Sequence, residues 1–167
     1  MYLPYLVSMA TGSNIVRIRM DGSGDGHFGA RRTRGDGKVY PHGGIDEKCK
    51  PGQPIYAPCD SVYERIAYPY SGNRKYTGGV FRSEKVIVKC FYFSPETKAG
   101  ELVKKGDIVG IAQDISVRYN TPDTPHEKRM TPHIHTEIMW CHDDLIKELK
   151  ERYGINVVGK VNPYFLI

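Results

Sequence analysis

The period of an α-helix shows itself only once in this sequence, late, between Asp143 and Arg152; before that, apolar residues come in short alternating runs cut by glycine or proline. That punctuation constrains the fold more than any other feature. The 18 glycines and 11 prolines break each earlier segment before it reaches helical length, and the 12 tyrosines favour pleated, half-buried surfaces. The expectation is a mainly β chain of short strands joined by many turns. A length of 167 residues closes one core without staples and is short for two, so one domain over residues 1–167 is expected.

Along the chain, Asn14 to Met20 alternates and predicts an edge strand, and a turn-dense loop follows through Gly29. His42-Gly43-Gly44-Ile45-Asp46 falls where a loop enters a strand, because adjacent glycines oppose a helix. Gly52 to Pro58 and Ser61 to Ile66 read as two short strands, Tyr68 to Gly79 as a polar loop, and Lys85 to Phe93 as the strongest strand. Glycines flank two brief apolar runs between Gly100 and Gly110, as hairpin corners do. A long loop from about Ser116 to Thr131 precedes the last strand. The helix over 143–152 has Leu145, Ile146 and Leu149 at helical spacing, acids at its start, Lys150 and Arg152 near its end and Gly154 as a stop.

Net charge is +5 with an isoelectric point near 9.0, which suits an anionic polymer. The basic residues are scattered, apart from Arg31, Arg32 and Arg34 and the pair Lys104 and Lys105, and no zinc-finger or RNA-binding signature accompanies them. Nucleic acid is therefore not an expected partner. No run is long enough to span a membrane, and MYLPYLVSMA lacks the basic start of a signal peptide. Export is expected by another route: lysis, a phage particle or a fused partner. Cys49, Cys59, Cys90 and Cys141 form no CxxC pair, so buried free thiols are expected, with a Cys90–Cys141 bridge as the alternative.

Chemistry concentrates in Thr131-Pro132-His133-Ile134-His135-Thr136-Glu137-Ile138. As a strand this segment sends His133, His135 and Glu137 to one face and Ile134 and Ile138 to the other. A catalytic zinc takes three protein ligands and keeps one position open, and two imidazoles with one carboxylate are a recurrent set. His42, Asp46 and either His133 or His135 supply it.

In order, Phe28-Gly29-Ala30-Arg31, His42 to Asp46, Gly52 to Ala57, Val103 to Gly110, His133 to Glu137 and Val161-Asn162-Pro163 resemble the successive motifs of the lysostaphin-type zinc endopeptidases, over about residues 28–166. The resemblance implies that family's antiparallel β fold with a groove over one zinc ion, and cleavage of peptide bonds in peptidoglycan stems or crossbridges. It implies His42, Asp46 and His135 as ligands and His133 as the catalytic histidine. Arg31 is a candidate to hold substrate, and Glu137 to orient a ligand histidine.

One departure separates zinc binding from catalysis. Where active members carry a second histidine in a Tyr-x-His setting, this chain reads Phe91-Tyr92-Phe93-Ser94-Pro95. Tyr92 as a hydrogen-bond donor and His126 from the long loop are the candidate substitutes. Val88 to Pro95 and Pro41 to Asp46 are also similar to the vertebrate leukocyte cell-derived chemotaxin domain. That resemblance implies a zinc site without this histidine, in a signalling protein, so a non-catalytic zinc-binding module is the alternative expectation.

Overall fold

A computed structural model describes residues 6–140 and 160–161. Its largest unit is a seven-stranded antiparallel sheet ordered β11 (Leu102–Val103), β7 (Ser61–Ala67), β8 (Gly78–Arg82), β9 (Val86–Phe91), β13 (His133–Trp140) and β14 (Lys160–Val161), with β5 (Ile45–Lys48) also paired to β13. A second sheet orders β10 (Phe93–Pro95), β12 (Ile108–Ala112) and β6 (Pro54–Tyr56). Two small hairpins, β1 (Met20–Asp21) with β2 (Gly24–Asp25) and β3 (Arg31–Thr33) with β4 (Val39–Pro41), precede them.

Alternation builds the core. Val86, Val88 and Cys90 of β9 and Ile134 and Ile138 of β13 point to one face, where they meet Ile55, Phe93 and Val109 from the second sheet. His133, His135 and Glu137 point to the other face, into a cleft. Cys49, Cys59 and Cys90 are buried free thiols, so Cys90 is not half of a bridge. The helix expected over 143–152, Cys141 and Asn162-Pro163 lie outside the described residues.

Three expectations change. The edge strand over 14–20 is reduced to a bridge between Ile18 and Glu47 and to the two residues of β1, because the chain there turns to make a hairpin of its own. The polar loop over 68–79 ends early, since Gly78 and Gly79 belong to β8. A Cβ on Gly78 would collide with the Cys90 carbonyl and one on Gly79 with the Tyr63 ring, so close approach and not turn formation requires these glycines. The strand expected over 85–93 breaks at Tyr92, which has φ 72°. Tyr92 and Phe93 both donate their backbone N–H to the Thr77 carbonyl, and the chain passes there from the large sheet to the second one. Such a left-handed tyrosine costs roughly 1–3 kcal/mol and persists because both sheets hold its neighbours. Within the long loop, the structure forms a short helix α1 (Ser116–Tyr119) and a 3-10 turn, His126–Lys128.

Glu47 points away from the cleft and is fully buried. The Ser8 hydroxyl donates to one carboxylate oxygen and Thr136 Oγ1 donates to the other at 3.1 Å. Burial outweighs both bonds and raises its pKa from 4.5 to about 7. Because burial favours the neutral acid, this contribution to stability is complete below pH 4.5 and is lost as pH rises to about 7. The unfolding free energy, relative to that of Glu47→Gln, should fall by roughly 3 kcal/mol over that interval in denaturant titrations. A difference that stays constant with pH would remove Glu47 as its source.

Candidate metal centre

The cleft has a volume of about 960 Å³, and β13 forms its floor. β13 pairs with β5 on one edge and β9 on the other, so that His135 stands opposite both Asp46 and Phe91. His42 enters from the turn before β5 and is fixed by backbone bonds to Ala30 and Gly29, each 2.8 Å. Gly44 makes this approach possible: a Cβ there would collide with the Thr136 carbonyl and lie 3.0 Å from His135 Cε1.

Three donor atoms converge. His42 Nε2 is 3.0 Å from His135 Nδ1 and 3.2 Å from Asp46 Oδ1, and His135 Nδ1 is 2.9 Å from Asp46 Oδ1. Ligands about 2.0–2.1 Å from a tetrahedral zinc stand about 3.3 Å from one another, so the triangle is close to the face such an ion needs. The outer ring nitrogens set the tautomers. His42 Nδ1 donates to the His27 carbonyl at 2.9 Å, and His135 Nε2 donates to Glu137 Oε1 at 3.3 Å. Both inner nitrogens then face each other and a carboxylate oxygen, where ring protons bridge them to Asp46 and where a metal cation can take the place of those protons.

Asp46 is held as an anion from its far side. Arg19 Nη2 and Arg32 Nη2 each donate to Oδ2 at 3.1 Å, and Arg19 Nη1 also binds Asp21 at 2.7 Å. Burial works against the Asp46 charge, but the bonds from His135 and His42 and the neighbouring imidazoles prevail, so its pKa lies well below the ordinary carboxylate value. For His135, burial disfavours the cation, yet hydrogen bonds to Asp46 and Glu137 outweigh it and raise the pKa. Lys89 Nζ balances Glu137 at 3.3 Å.

His133 is brought beside this triangle without joining it. Its Nδ1 donates to the Thr131 carbonyl at 2.8 Å, which leaves Nε2 an acceptor 3.9 Å from Asp46 Oδ1. Burial, the largest influence, lowers its pKa despite the Asp46 charge. The Tyr92 ring meets His133 edge-on at 5.6 Å, and its hydroxyl joins Tyr70, which also bonds Tyr119. Burial pushes the Tyr92 pKa up to about 12, so the hydroxyl keeps its proton. Phe93 is fully buried in the core, and His126 lies on an exposed turn. Arg31 lines the cleft from β3.

Arg19, Arg32, Tyr70 and Tyr119 were not among the candidate site residues read from the sequence. The alternation of Arg17, Ile18 and Arg19 carries the faint signal that one arginine turns inward, and Arg32 sits one pleat from Arg31. Nothing local marks the two tyrosines.

No family model matches the sequence. An uncharacterized metalloprotease from Haemophilus influenzae is 28% identical over 107 residues, 64% of this chain; the chain spans only 20% of that relative's length. Among solved structures, the antimicrobial peptidase lysostaphin from Staphylococcus simulans superposes with a TM-score of 0.58 at 17% identity, covering 99% of this chain and 55% of that one. Its catalytic domain gives 0.54 at 19% identity, covering 86% and 90%. The architecture is that of the lysostaphin-type peptidases.

Proposed function

We propose that the chain is a zinc-dependent endopeptidase that cuts peptide bonds in bacterial peptidoglycan, with His42, Asp46 and His135 holding one zinc ion and His133 as its catalytic base. The observation that carries this reading is the convergence of two imidazole nitrogens and a carboxylate oxygen within 3.2 Å of one another at the floor of a cleft. A zinc ion bound there supplies an electrophile for the scissile carbonyl and acidifies water. The remaining steps belong to the chain's own groups. His133, neutral and oriented by Thr131, receives the proton of the attacking water at Nε2 and returns it to the departing amine. Tyr92 serves as a hydrogen-bond donor and not as a base. Glu137 orients the His135 ring.

The substrate class is supported by the fold's peptidase relatives, the peptide-sized cleft and a net charge of +5 that suits an anionic wall. A lytic role, in phage or bacterium, is part of the same reading. The purified protein should carry about one equivalent of zinc and clear a suspension of peptidoglycan. His133→Ala should keep the zinc and lose about 100-fold in clearing rate. A zinc-loaded protein that leaves several crosslink types intact would sink the proposal. The burial of Phe93, which leaves no second imidazole in the cleft at that position, favours the non-catalytic zinc module as the other reading. That module would hold peptidoglycan without releasing products.

A further inference from the structure

The cleft is asymmetric across β13. On the β9 side its wall is aromatic: Tyr70, Tyr92 and Tyr119 share hydroxyl bonds, and the Arg118 guanidinium stacks on Tyr70 at 4.2 Å. On the β5 side it is the β3–β4 hairpin, which brings Arg31, Arg32 and Arg34 to the cleft. These arginines differ in what they already hold. Arg32 is committed to Asp46, as Arg19 is to Asp46 and Asp21. Arg31 and Arg34 are exposed and have no ion-pair partner among the described residues.

Arg34 is nevertheless positioned. Its guanidinium lies 5.4 Å from the centre of the Tyr40 ring, and its backbone closes the hairpin turn with Lys38 at 2.9 Å. Of the acids that line the cleft, Asp46 and Glu137, both are satisfied, by arginines and by Lys89. Two positive charges without an acidic partner among the described residues therefore remain in the lining of one wall of the cleft. A guanidinium presents paired donors whose fork matches a carboxylate.

We propose that the β3–β4 hairpin is a carboxylate-binding wall, on which Arg31 and Arg34 receive a free carboxylate of the bound peptide. This rests on the endopeptidase reading for the nature of the ligand. It selects stem peptides that keep a free carboxylate close to the scissile bond over those amidated at that position. The aromatic wall takes the uncharged flank.

Two fluorescent crosslinked stem peptides test it, identical except that one has isoglutamate and the other isoglutamine as second residue. Zinc-loaded His133→Ala protein should bind the carboxylate form about tenfold more tightly by anisotropy. Adding Arg31→Gln and Arg34→Gln should erase the preference, and Arg34→Glu should reverse it. Equal affinities, no binding of either peptide, or a preference that survives both glutamines would overturn the wall. Cleavage by the unsubstituted protein is followed in parallel. Discrimination in binding without any cleavage keeps the wall and sinks the endopeptidase, and cleavage with equal affinities does the reverse.

Discussion

Asp46→Ala protein will leave zinc-saturated buffer with well under half an equivalent of metal, and will unfold with about 3–5 kcal/mol less free energy than the unsubstituted chain. The two losses have different causes. Metal is lost because Asp46 Oδ1 is one corner of the donor triangle and supplies its only negative charge. Stability is lost because Asp46 Oδ2 neutralises Arg19, whose side chain is only 4% exposed and whose other partner is Asp21. Removing the carboxylate leaves a buried guanidinium half paired. Combining Asp46→Ala with Arg19→Met should therefore recover part of the stability and none of the metal. Metal analysis and denaturant titration read the two effects separately. A full equivalent of zinc in Asp46→Ala would end the assignment of this residue as a ligand.

Gly44→Ala should be nearly as damaging although it removes no functional group. The added methyl meets the Thr136 carbonyl, which is backbone in the middle of β13 and cannot turn away. β5 must then move off β13, and the His135–Asp46 pairing moves with it. A cost of about 4 kcal/mol is expected, with zinc affinity lowered at least tenfold in competition against a chelator. Unchanged affinity would mean that the loop yields elsewhere and the strand pairing does not set the ligand spacing.

How much of this was legible in the sequence depends on the range of the interaction. Period-two alternation in residues 131–138 placed two imidazoles and Glu137 on one face and two isoleucines on the other, because side-chain direction in a strand is a local property. β6, β7 and most of β9 were legible for the same reason. β8 was not: its two glycines look like a turn until the Tyr63 ring and the Cys90 carbonyl are known to press on them. The turn of the backbone at Tyr92 was hidden too, since a tyrosine at φ 72° is imposed by two sheets and not by its own preference. Arg31 attracted notice from the motif, but Arg32 carries the bond to Asp46, since the pleat decides which of two adjacent arginines reaches that carboxylate.

The pairing of β5 with β13 also orders events in time. His42 and Asp46 leave the ribosome as a pair, but their third partner lies 89 residues beyond Asp46. At roughly 5–20 residues per second, they wait on the order of ten seconds for it. During that interval two ligands alone would hold an ion weakly, and the edge of β5 that pairs with β13 stays open. The metal therefore cannot organise the nascent chain as it does in a zinc finger, whose ligands are close in sequence. On the proposed ligand set, zinc would be captured by a sheet that has already closed, the last component to arrive and the first that a competing chelator removes.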